Sequence, residues 1–199
     1  METELSAALQ IRKAILSKIG EIEHNEITTR RNKLSDFNDL EEIKKAGFLG
    51  FRTIEELQKG VSPLFPVKGV YMVLNVCQTQ PAFLQEGTGG YFKGKNPNVS
   101  LETLEANWVE NSLVLYIGKT GGENSDRTLT MRIEELIAFG TGNNVAHYGG
   151  RLIWQLKNSK DLVVCWKPML KADPETVKKE LLKEFVAKYG KRPFANLKD

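Results

Sequence analysis

The chain is poor in groups that staple or anchor a protein. Among its 199 residues there are two cysteines, Cys77 and Cys165, far apart in sequence. Two lone cysteines make neither a disulfide framework nor a zinc pattern. They read as buried thiols of a reducing compartment. No run of 18 apolar residues occurs, so no membrane-spanning helix is expected. The N-terminus carries Glu2 and Glu4 without a basic-then-apolar leader, and a cytoplasmic protein is expected. Charge of one sign is scarce as well: the net charge is +3, too mild to announce a nucleic-acid binder. Residues 1–60 hold ten Lys+Arg against eleven Asp+Glu, and residues 161–199 hold nine against six. The basic last part suits either phosphates or a solvated helix face.

What is present divides into two parts. Leu5, Leu9, Ile15, Leu16, Ile19 and Ile22 recur at helical spacings with charges between them. A second helix is expected from the capping residues of Ser35–Leu40, stopped near Gly47. Phe48, Leu49 and Phe51 form an apolar knot, and Thr53-Ile54-Glu55-Glu56 is a capping box for a third helix. Residues 1–60 therefore read as a helical appendage for recognition, dimerisation or capping, and a homodimer is one outcome. Pro63 and Pro66 break the connector that follows.

From Val67 the period becomes two. Val70, Met72 and Leu74 face one way, Tyr71 and Val73 the other. Leu113, Leu115 and Ile117 alternate with Val114 and Tyr116 in a second strand. Between them, residues 77–111 read as a long insertion, irregular over 81–98, with a short helix at Leu101, Leu104 and Trp108. Thr128–Phe139 carries a helical stripe. Leu152–Trp154 and Leu162–Trp166 are further strand candidates. Asp173-Pro174 opens a last helix that Gly190 closes. The fold class this pattern implies is α+β: a small, mostly antiparallel central sheet flanked by helices, within residues 67–199.

Several side chains on this frame can carry chemistry, each with a plainer alternative. If the two strands pair, Tyr71 and Tyr116 share one side of the sheet; strand tyrosines are also ordinary packing. Arg132 suits phosphate through its planar fork, or pairs with Glu134 or Glu135 on the surface. Glu184 stands at the rim of the last helix's apolar stripe, Glu180 further out; a metal ion would favour a rim carboxylate, and so would Lys188 one turn on. His147 can act as acid or base, and Arg151 can add a phosphate contact, on a loop whose glycines allow close backbone approach. Tyr91, Phe92, Lys93 and Lys95 mix aromatics with positive charge, as base stacking and backbone grip require, or form a mobile surface loop.

Taken in order, Gly69-Val70-Tyr71, Tyr116-Ile117-Gly118, Arg132, Glu184 and Pro193-Phe194-Ala195-Asn196 make the chain resemble the GIY-YIG nucleases. That superfamily includes homing, repair and some restriction endonucleases. The resemblance covers about 67–199, and Glu184 lies twelve residues before Asn196, a spacing the family favours. One departure is the 44 residues between Tyr71 and Tyr116, where the family often has a short connection; loop-closure entropy grows slowly enough to allow it.

The resemblance implies metal-dependent hydrolysis of DNA phosphodiester bonds. Glu184 would hold one Mg²⁺ or Mn²⁺, with Glu180 as rival. Arg132 would bind the scissile phosphate. Tyr71 would position or deprotonate water, and Tyr116 would orient water or phosphate. Ionising a free phenol at neutral pH costs roughly 4 kcal/mol, so a cation must assist, with Lys119 as candidate. Asn196 would tether the last segment. Arg151, Lys93 and Lys95 would contact the DNA backbone. The alternatives are a catalytically silent DNA-binding module and a partner-binding protein acting through its N-terminal helices.

Overall fold

The computed structural model describes residues 34–61, 67–78, 80–121 and 125–197, with positions 17, 20 and 21 before them. The helical stripe from Leu5 to Ile22, His24 and the Pro63–Pro66 connector otherwise lie outside the described residues.

The class is α+β. Four strands, β1 (Leu49–Thr53), β2 (Lys68–Leu74), β3 (Val114–Lys119) and β4 (Val163–Met169), form one sheet in the order β1-β4-β2-β3. Every neighbouring pair is antiparallel. Within the described segments from residue 34 onward the α-helices are α1 (Leu40–Lys45), α2 (Ile54–Gln58), α3 (Leu101–Asn107), α4 (Leu129–Gly140) and α5 (Pro174–Tyr189). Their ends follow local chemistry. The Thr53 hydroxyl accepts from the Glu56 N–H while the Glu56 carboxylate accepts from the Thr53 N–H, closing the capping box at 3.1 and 2.8 Å. Asp173 caps α5 ahead of Pro174, and Gly190 ends it at φ 73°.

β2 is buried on both faces and sorts the molecule into two layers. Tyr71 and Val73 join Tyr116, Val164 and Trp166 under α4 and the 3-10 stretch Tyr148–Gln155. Val70, Met72 and Leu74 join Val114, Ile117 and Cys165 under α5, whose Leu181, Leu182 and Phe185 face them. Phe37 completes that second layer, edge-on to Phe185 at 5.0 Å.

Cys77 is exposed rather than buried, and four further expectations change. First, the described part of residues 1–60 is not wholly helical, nor separate from the sheet: Leu49–Thr53 is the edge strand β1, paired with β4. An irregularity between Leu49 and Arg52, with Gly50 at φ 93° and Phe51 at φ 42°, hides its period. A Cβ on Gly50 would lie 2.1 Å from the Trp166 indole, so that ring requires glycine opposite it. Second, β3 carries an irregularity where Leu74 pairs with Val114 and Val73 with Tyr116. Leu115 and Tyr116 therefore share a layer, while Val114 and Ile117 share the other. Third, Leu152–Trp154 lies in a 3-10 helix, not a strand. Fourth, the insertion is not a loose loop but a cover on the first layer.

Gln155 binds that cover. Its buried carboxamide nitrogen donates to the carbonyls of Leu84, Gln85 and Val99 at 3.1, 3.3 and 2.9 Å. Its oxygen accepts from the Val99 N–H at 2.9 Å. The Leu84 N–H returns a bond to the Gln155 carbonyl at 2.8 Å. Since buried backbone groups left without partners cost free energy, Gln155→Leu is expected to destabilise the fold by about 3 kcal/mol. Urea unfolding followed by tryptophan fluorescence measures it; an unchanged midpoint would show that the carboxamide is dispensable.

Candidate active site

β2 and β3 place the two motif tyrosines together. Tyr71 pairs with Gly118 and Val73 with Tyr116, so the phenols are diagonal neighbours on one face, ring centroids 6.0 Å apart. The Tyr71 ring crosses Gly118: a Cβ there would sit 2.1 Å from Tyr71 Cζ. The last glycine of Tyr116-Ile117-Gly118 is thus the space the first tyrosine occupies.

The Tyr71 hydroxyl lies 2.7 Å from His147 Nε2. His147 comes from the loop after α4, is 1% exposed, and presents its ring edge-on to Tyr116 at 5.7 Å. Gly150 turns close beneath it; a Cβ there would be 3.0 Å from His147 Cε1. Either tautomer leaves His147 Nδ1 buried with no hydrogen-bond partner among the described residues.

Arg132 holds the loop. It sits one turn into α4, donates from Nη1 to the Ala146 carbonyl at 3.1 Å, and pairs with Glu135. The other Glu135 oxygen lies 3.3 Å from Arg127 Nη2. The sequence left Glu134 and Glu135 open as partners of Arg132, and the structure selects Glu135; Arg127 and Ala146 had no signal.

Burial governs the electrostatics. It pushes the Tyr71 phenol well above its ordinary range, Tyr116 adds to the rise, and Arg132 opposes it. Tyr116 is raised by burial with Arg132 again opposing. Burial, then the Arg132 charge, lowers His147 to about 3. At neutral pH the group is two phenols, a neutral imidazole and a guanidinium balanced by Glu135.

The remaining expected residues lie elsewhere. Lys119 turns away from Tyr71 and bonds Glu175 at the start of α5 at 2.6 Å. The cation acting on Tyr71 is Arg132 instead. Alternation along β3 explains this, since Lys119 follows Gly118 onto the other face. Asn196 closes the outer edge of β3: its oxygen accepts from the Ile117 N–H at 2.8 Å and its nitrogen donates to the Ile117 carbonyl at 2.9 Å. Arg151 stacks on Tyr148, its guanidinium 4.4 Å from the ring centre. Lys93 and Lys95 are exposed on the cover, which the Lys93 N–H and the Tyr148 hydroxyl pin through Asn144 and the Asn96 carbonyl. Those contacts flank His147 on both sides.

Glu184 is not brought to this group. It is half-buried on α5, beside Phe185, in the layer on the opposite sheet face. Glu180 shares that helix and is exposed. The carboxylate at the tyrosine cluster is Glu135, and both its oxygens are committed to arginines. Among the described residues no three His, Cys, Asp or Glu side chains gather to hold a metal. The donor set around Tyr71 does not fit a divalent cation held by Glu184.

His147 makes the fold acid-sensitive. Its folded pKa, about 3, lies below the ordinary histidine value of 6.5, so the unfolded chain binds the extra proton first. The stabilisation is present above pH ~6.5 and is lost as pH falls toward ~3, at up to about 1.4 kcal/mol per pH unit. Urea midpoints for wild type and His147→Gln between those limits should show a shallower slope in the variant. Equal slopes would place the titration elsewhere.

No family model, no curated protein and no solved structure matches the chain.

Proposed function

We propose that the chain is a DNA endonuclease whose chemistry is carried by Tyr71, Tyr116, Arg132 and His147. The observation that carries the reading is the 2.7 Å contact between the Tyr71 hydroxyl and a neutral, buried His147. A phenol next to an imidazole has an acceptor for its proton. Water attacks phosphorus as the bond to the leaving oxygen breaks, and the departing alkoxide takes a proton from bulk water, to which His147 afterwards returns the proton it gained. The water proton passes to Tyr71 as the phenolic proton moves to His147 Nε2. The imidazolium so formed is costly beside Arg132; the phosphate's negative charge offsets both cations. Arg132 neutralises charge gathering on the phosphoryl oxygens. Asn196 is a positioning residue, fixing the edge of the strand that carries Tyr116.

The resemblance adds a divalent cation, Mg²⁺ or Mn²⁺, which would supply Lewis acidity. The cluster offers it no carboxylate that is not already paired, and no step above uses it. Substrate entry has two requirements. The cover over His147 must open, since Tyr71 is fully buried. Phosphate must also displace Glu135 from Arg132.

A second reading, a DNA-binding module without turnover, is favoured by the same burial and by the placement of α5. Supercoiled plasmid separates the two. With Mg²⁺ or Mn²⁺ present, wild type should nick it, while Tyr71→Phe and Arg132→Ala should each be slower by roughly 100-fold or more. Glu184→Gln should retain activity. Wild type that binds DNA and never cuts it establishes the silent module. Abolition by Glu184→Gln alone would move the chemistry to the other face of the sheet.

A further inference from the structure

A groove of about 690 Å³ runs between the end of α3, the outer side of α5 and the closing segment 190–197. Four cations line it, Lys179, Lys183, Lys191 and Arg192, and no carboxylate does. Its floor includes Leu182 and the exposed Val186. Lys179 and Lys183 stand one turn apart on α5, about 6 Å along the axis. The Lys191 ammonium donates to the Ala106 carbonyl at 3.2 Å, which ties the closing segment across to α3. No carboxylate pairs with Lys183 or Lys191 among the described residues. Glu180 and Glu184 adjoin Lys179 and Lys183 in sequence but do not line the groove; Glu175 bonds Lys119 at 2.6 Å and lies 3.8 Å from Lys179.

We propose that this groove binds the phosphodiester backbone of DNA, at a site separate from the tyrosine cluster. Its charge is of one sign and its shape is concave, which suits a chain of phosphates more than a flat lipid surface. It has no aromatic lining, so it offers no stacking platform for bases. Contacts of this kind position a nucleic acid without reading its sequence. The position is informative as well. Asn196 lines the groove and also bonds Ile117 of β3. A strand laid there runs along the outer edge of the strand that carries Tyr116. Binding in the groove does not depend on any chemistry at Tyr71.

The test is fluorescence anisotropy of a short labelled DNA duplex with the full chain, titrated at several salt concentrations. Lys179→Gln/Lys183→Gln is compared with Lys157→Gln/Lys160→Gln, two exposed lysines outside the groove. The groove variant should bind on the order of tenfold more weakly. The slope of log affinity against log salt should fall in magnitude by about two. The control pair should leave both nearly unchanged. Equal losses in the two variants would reduce the groove to general charge, and no loss in the groove variant would remove it. Vesicles containing phosphatidylserine form a separate arm: a groove-dependent affinity seen there and not on DNA overturns the assignment. The titrations are run in EDTA, where affinity is read whether or not the chain cuts, so loss of this proposal and loss of the endonuclease reading are separate results.

Discussion

A strand buried on both faces imposes a division on everything packed around it, and β2 is such a strand. Its odd residues, Tyr71 and Val73, lie in one layer and its even residues, Val70, Met72 and Leu74, in the other. Shifting it by one residue would exchange the layers entirely. The Tyr71 phenol consequently meets what α4 and its following loop bring, namely Arg132 and His147. It does not meet α5. The same rule carries Lys119 to Glu175 and away from the phenols, since it follows Gly118 on β3.

The tyrosine–histidine pair is held in a manner that suppresses charge. Burial raises both phenols and lowers the imidazole, so all three are neutral near pH 7. Arg132 is the cation beside them among the described residues, and Glu135 balances it. Such a group stores an unmet demand. His147 Nδ1 has no partner among the described residues, a costly arrangement in a buried site. A phosphate at Arg132, as proposed, would satisfy the guanidinium, free Glu135 and offset the charge of a protonated His147.

Two covers close the molecule around this layer. One is the insertion, stitched to Gln155 and to the loop around His147. The other is the closing segment, where Asn196 and Ala195 satisfy the outer edge of β3. Unpaired strand edges invite intermolecular pairing, and this one is finished by a side chain that imitates a neighbouring strand. The groove beside it owes half of its positive lining, Lys191 and Arg192, to that closure, while Lys179 and Lys183 come from α5.

Local rules written over a few residues were readable directly. The alternation of Val70–Leu74, the capping box at Thr53, the Asp173-Pro174 start and the Gly190 stop all appear in the structure where their chemistry places them. So does the sharing of one face by Tyr71 and Tyr116. Features that break a period were not readable. Glycine and an irregular step disguise β1, another irregular step reverses Leu115, and a 3-10 turn takes the apolar run Leu152–Trp154. The long-range pairings carried still less signal: Gln155 to the insertion, Arg132 to the Ala146 carbonyl, Tyr71 to His147. The chain by itself determined which residues alternate, cap and stop, because those outcomes depend on neighbours a few positions away. Only the tertiary structure decided which face of the sheet each helix covers, and so which carboxylate stands near Tyr71, because that choice depends on how separate layers fill one core.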